Sequence, residues 1–144
     1  MSDIDAQEML GEIDLTDVDT NMPVLEPQIV RCTVTNMEIK EGKKGPVLKI
    51  ELKTVEPATS EGRDEPVQPG FPLFDNVSLV ATEKYDYKPR LAQIQEAILG
   101  EKRRGFAPLE QYIGQEVDVR TKPEGAEDSE YGRQTRISRY VKAE

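Results

Sequence analysis

The sequence predicts a mainly β domain, a small five-stranded Greek-key barrel with a helical insertion and an acidic N-terminal arm. Three observations carry that expectation. Short segments of alternating apolar and polar residues recur along the chain, as half-buried strands require. Turn-forming Gly, Pro and acidic clusters separate them. One stretch alone, in residues 86–100, switches to helical spacing.

The first strand is expected over residues 28–40. Val30, Cys32 and Val34 share one face, then Met37 and Ile39 continue with the parity shifted by one. A shift inside one strand predicts a bulge near Thr35 and Asn36, which bends the strand. Glu41-Gly42-Lys43-Lys44-Gly45-Pro46 is a turn. The second strand, 47–55, sets Leu48, Ile50 and Leu52 inward and Lys49, Glu51 and Lys53 outward. A loop rich in Pro, Glu, Gly and Ser runs from 56 to 70. The third strand, 73–81, has Leu73, Val77 and Leu79 on one face and Phe74, Asn76 and Ser78 on the other.

Asp86 then offers a helix cap and Pro89 a first-turn residue. Leu91, Ile94 and Ile98 recur at helical spacing, and Gly100 is the stop signal. A second short helix is expected from Pro108 to Ile113. The fourth strand, 115–121, turns Val117 and Val119 inward. An acidic loop, 122–130, leads to the fifth, 131–142, with Ile137 and Val141 inward. Three strands, a helical stretch and two strands are in the order of an OB-fold, whose closure needs a coiled first strand. An α+β sandwich with an open sheet is the structural rival. The domain is expected over residues 25–144 and the arm over 1–24.

Composition removes many functions. The 144 residues include one Cys and no His, which excludes an internal disulfide framework, a structural zinc site and imidazole catalysis. No long apolar run suits a membrane span, and no secretory leader opens the sequence. The net charge of −9 argues at first against nucleic acid. Its distribution alters that argument: seven of the 28 acids lie in residues 1–20, which have no Lys or Arg. The rest carries 21 acids against 19 bases, a net of −2. The arm sets isolated apolar residues (Ile4, Met9, Leu10, Ile13, Leu15, Val18) among its acids, too few to order it. It reads as a solubilising tail, or as an arm that docks a partner or covers the protein's own basic groove.

Enzyme motifs are incomplete. Gly42-Lys43-Lys44-Gly45 lacks the spacing and the following helix of a phosphate loop. Glu51-Leu52-Lys53 matches half of a metal-dependent nuclease site, but no Asp lies between Asp19 and Glu51 to share the metal. The expectation is therefore a non-enzyme with no catalytic residue, metal or cofactor.

Single-strand binding asks for cations along the phosphates and aromatic faces for the bases. On the OB template the groove crosses strands 2 and 3 between the 1–2 and 4–5 loops. That template assigns Lys43 and Lys44 to the first loop, Lys49 and Lys53 to strand 2, and Phe74 to strand 3. It assigns Lys122, Tyr131 and Arg133 to the second loop, and Arg136 and Tyr140 to the outer face of strand 5. The bland alternatives are a solvated basic face for Arg133, Arg136, Arg139 and Lys142, and a core position for Phe74 if the register slips by one.

A family resemblance adds to these readings. Its carriers are Glu41-Gly42-Lys43-Lys44-Gly45 before Leu48-Lys49-Ile50, then Pro69-Gly70-Phe71-Pro72-Leu73-Phe74 and Thr82-Glu83-Lys84-Tyr85. Arg90-Leu91-Ala92-Gln93, Tyr112-Ile113-Gly114-Gln115-Glu116-Val117 and Glu130-Tyr131-Gly132-Arg133-Gln134-Thr135-Arg136-Ile137 complete them. Across most of residues 24–142 the chain resembles small bacteriophage single-stranded DNA-binding proteins with an OB-fold. It departs from them in having its acidic segment at the N-terminus and no Trp. The resemblance implies sequence-nonspecific single-stranded DNA binding in phage replication or recombination, in the cytoplasm of an infected bacterial host. Replication or recombination proteins are the implied partners of the arm 1–20, with homo-oligomerisation left open and no membrane partner. The alternative is a phage interaction or assembly module that keeps the barrel and binds protein.

Overall fold

The computed structural model describes residues 3–12, 23–101, 104–125 and 134–143. Helix α1 spans Asp3–Glu12. The strands are β1 Gln28–Gly42, β2 Gly45–Thr54, β3 Pro72–Ser78, β4 Glu116–Glu124 and β5 Gln134–Val141. Helix α2, Lys88–Leu99, and a 3-10 turn at Leu109–Gln111 lie between β3 and β4. The strands form one antiparallel sheet in the order β3-β2-β1-β4-β5. Among the described residues no helix is long and apolar enough to cross a membrane.

β1 serves both halves of the sheet. Residues Gln28 to Thr33 pair with β4, and Cys32 to Gly42 pair with β2. The ladder to β2 shifts between Val34, opposite Leu52, and Asn36, opposite Glu51. Thr35 is the extra residue, and its hydroxyl donates to the Glu51 carbonyl at 3.1 Å. This bulge moves the buried parity from Val30, Cys32 and Val34 to Met37, as the sequence pattern predicts.

Ile39 departs from expectation. It keeps the inward parity yet is 56% exposed. β4 reaches only to Thr33 along β1, so Ile39 has a sheet neighbour, Leu48, on one side alone. The turn beyond it pairs Gly42 with Gly45 and leaves Lys43 and Lys44 at the tip. Gly45 has φ +124°, and a Cβ there would meet the Val80 side chain at 2.5 Å, so glycine is required.

The core joins Leu48, Ile50 and Leu52 of β2 to Leu73 and Val77 of β3, Val117 and Val119 of β4, and Ile137 of β5. Ile94, Ala97 and Ile98 of α2 close it. Each fully buried aliphatic side chain contributes about 1.5–3 kcal/mol. α2 begins where Asp86 Oδ1 accepts the Lys88 N–H at 3.0 Å, and it ends at Gly100, φ +81°. The buried Gln95 accepts from Ala107 N–H and from the Tyr112 hydroxyl, and it donates to the Gly105 carbonyl. That network anchors the connection to β4, where Phe106 stacks on Tyr112 with centroids 4.7 Å apart. The helix expected from Pro108 to Ile113 is only the 3-10 turn, because Pro108 and Gly114 bracket too few residues for an α-helical ladder.

Hydrogen-bonded pairing stops at β3 and β5, so the described strands form an open sheet. Side chains link its two ends. Arg90 of α2 donates to Asp75 Oδ2 on β3 at 2.9 Å and to the Ile137 and Ser138 carbonyls on β5 at 2.8 and 3.1 Å. Tyr140 of β5 donates its hydroxyl to the same Asp75 oxygen at 2.9 Å.

The arm carries the helix α1 where the sequence composition predicts no order. Ala6, Gln7, Glu8, Met9 and Leu10 are adequate helix formers locally. Gln7, Glu8 and Leu10 are exposed, so burial of these side chains does not hold the helix.

Candidate nucleic-acid interface

The outer face of β2 and β3 is built by simple alternation. With Leu48, Ile50 and Leu52 inward, Lys49 and Lys53 point out and are exposed, with Glu51 half-buried between them. On β3 the inward pair Leu73 and Val77 leaves Phe74 outward and 59% exposed. Phe74 lies opposite Glu51, so Lys49 and Lys53 are its diagonal neighbours, typically about 7–8 Å away. Glu38, opposite Lys49 on β1, pairs with Lys40 at 3.2 Å instead. Lys43, Lys44, Lys49 and Lys53 make no salt bridge among the described residues. Among the described residues the arrangement is an aromatic face flanked by ammonium groups without salt bridges, with the Glu51 carboxylate beside it.

The other expected residues divide. Lys43 and Lys44 sit at the exposed hairpin tip, some five residues or about 17 Å of strand from Lys49. Lys122 is exposed opposite Arg136, and Arg136 is ion-paired to Glu124 at 2.8 Å. Both groups of that pair are exposed, so it contributes little stability. Measured along β1, these residues lie at the Gln28 end and the lysine turn at the Gly42 end, with Lys53 and Lys49 opposite Thr33 and Glu38 in between. Tyr131 and Arg133 lie outside the described residues.

Tyr140 does not belong to this surface. It is 2% exposed, against the outward position that alternation predicts. The β4–β5 ladder shifts: Arg120 pairs with Arg139, but Thr121 pairs with Ile137, so Ser138 is an extra residue. The bulge puts Ile137 and Tyr140 on the same inward face. Burial, followed by the nearby Asp75 carboxylate, pushes the Tyr140 phenol well above its usual range and keeps it a hydroxyl donor.

Sequence reasoning also passed over Arg90 and Asp75. The available signal was Asp75 itself, an acid at inward parity between Leu73 and Val77, which must have a buried partner. Nothing in the helical spacing marks Arg90 as that partner. No protein-family model and no curated protein sequence matches the chain.

Proposed function

We propose that the chain is an OB-fold protein that coats single-stranded DNA without sequence preference and without catalysis. A base stacks on Phe74, while Lys49, Lys53, Lys43 and Lys44 hold phosphates. The single observation behind this reading is the exposed Phe74 diagonal to two lysines that make no salt bridge among the described residues, all on one sheet face. The OB reading draws on the strand order, the bulged β1 shared by both halves, and the Arg90–Asp75–Tyr140 link between β3 and β5. The family resemblance supplies the setting, phage replication or recombination.

Titration with fluorescent oligo-dT tests it. With about three to five phosphates contacted, the log–log salt slope is about −0.7 per contact. Affinity then falls on the order of tenfold or more between about 50 and 200 mM salt. Salt-independent binding would contradict the mechanism. Phe74→Ala is expected to weaken binding about tenfold, since stacking contributes about 1–3 kcal/mol per base. Its melting temperature should stay within about 2 °C of the parent, because the ring is mostly exposed. A large fall in stability instead would make Phe74 a core residue.

Exposed Ile39 and Leu10 favour a second reading, an interaction or assembly module on the same fold. No binding of oligo-dT even at low salt would decide for that reading.

A further inference from the structure

A groove of about 730 Å³ runs between α2 and strands β4 and β5, on different residues from the Phe74 face. Arg120, Arg139 and Lys142 line it, with Glu96 as the one acid among the described residues. Arg120 and Arg139 lie directly opposite each other in the β4–β5 ladder. Like charges facing across strands destabilise a sheet, and among the described residues neither guanidinium has a salt bridge. The Lys142 ammonium is next to Gly100 at the C-terminal end of α2, where the helix dipole favours it. In a chain of net charge −9, a groove whose described lining holds three cations and one acid is electrostatically complementary to carboxylates. Its remaining lining includes the apolar side chains of Ala92, Val141 and Ile29, the last 52% exposed. A matching ligand therefore mixes acids with isolated apolar residues.

The chain carries such a segment, tethered beside the groove. Leu25 is fully buried, and its N–H donates to Thr135 Oγ1 of β5 at 2.9 Å. The next carbonyl, of Glu26, accepts from Thr121 Oγ1, the residue after Arg120. Three residues separate Leu25 from Ile29, which are at most about 14 Å apart along the chain. Twelve residues lie between Leu25 and the end of α1, a span of up to about 43 Å. Helix α1 presents Glu8 and Glu12 on one face, both exposed.

We propose that α1 docks intramolecularly in the α2–β4–β5 groove, with Glu8 and Glu12, one turn apart on one helix face, against the Arg120–Arg139 pair. The tether gives an effective concentration of order millimolar, so a weak contact suffices. The docked arm leaves the Phe74 face open, and the contact does not depend on DNA binding.

The test is paramagnetic broadening in the full chain. Cys32 is fully buried and its thiol is pushed up to about 12, chiefly by burial, so a nitroxide on Gln7→Cys attaches at position 7 alone. The backbone amides of Ala92, Glu96 and Val141 are expected to lose more than half their intensity at about 50 mM salt and to recover at about 500 mM, where the Debye length falls to a few ångströms. The amides of Lys49 and Phe74 should keep theirs. Arg139→Ser should abolish the groove broadening, and so should Glu8→Gln with Glu12→Gln. The double arm variant carries the test if Arg139→Ser does not fold. Uniform broadening, or broadening centred on the β2–β3 face, overturns the proposal. Equal broadening in a mixture of spin-labelled and isotope-labelled molecules would assign the contact to a second copy and also overturn it.

Discussion

Arg90→Ala is expected to lower the stability of the folded chain by about 3 kcal/mol, since removing one partner of a buried ion pair strands the other. That figure takes the low end of the usual range because Arg90 and Asp75 keep side-chain exposures of 24% and 14%. One guanidinium serves four acceptors: Asp75 Oδ2, the Ile137 and Ser138 carbonyls, and Gln93 Oε1. It also lies over the Tyr140 ring, 5.1 Å from the centroid. Alanine therefore leaves an inward carboxylate facing one hydroxyl, and two β5 carbonyls without this donor. The melting temperature should fall by about 10 °C. Arg90→Lys should recover only part of the loss, because an ammonium lacks the planar fork that reaches β3 and β5 together. Urea titrations of both variants check this. An Arg90→Ala loss below about 0.5 kcal/mol, the scale of an ordinary surface substitution, would mean that this link does not hold the sheet ends together.

The two bulges show what was legible in the sequence. In β1 the chain announces its bulge, because apolar residues stand on both sides of it: Val30, Cys32 and Val34 before, Met37 after. In β5 only Ile137 precedes the extra residue, and the next inward side chain is a tyrosine, a type at home on either face. Alternation therefore ran straight through Ser138 and turned Tyr140 outward. β2 and β3 were legible because both alternate without interruption, and the outward setting of Phe74 and its flanking lysines followed directly. Ile39 is exposed for another reason. Parity tells which way a side chain points, but not how far the neighbouring strand extends to cover it. The Arg90–Asp75 pair was hidden because it joins residues 15 apart through tertiary packing, with no periodic signature.

Tyr140 separates a core role from a binding role by the kind of loss its variants show. Tyr140→Ala is expected to cost about 3–5 kcal/mol, as for other large buried aromatics cut to alanine. An outward stacking residue would instead lose affinity for oligo-dT in a protein of unchanged stability. Tyr140→Phe keeps the ring beneath Arg90 and removes only the hydroxyl bond to Asp75. Hydrogen bonds to charged groups contribute about 1.5–3 kcal/mol, so the phenylalanine variant should fall between alanine and parent. The pH dependence adds an independent sign. Because the folded phenol titrates above its unfolded value of 10.0, its contribution is full below pH 10 and is lost as pH rises through the raised native value. Unfolding measured from pH 8 upward should therefore show an alkaline decline in the parent that is smaller in Tyr140→Phe. Equal declines in both proteins would mean that the hydroxyl ionises without cost to the fold. The Asp75 bond would then contribute nothing to the link between β3 and β5.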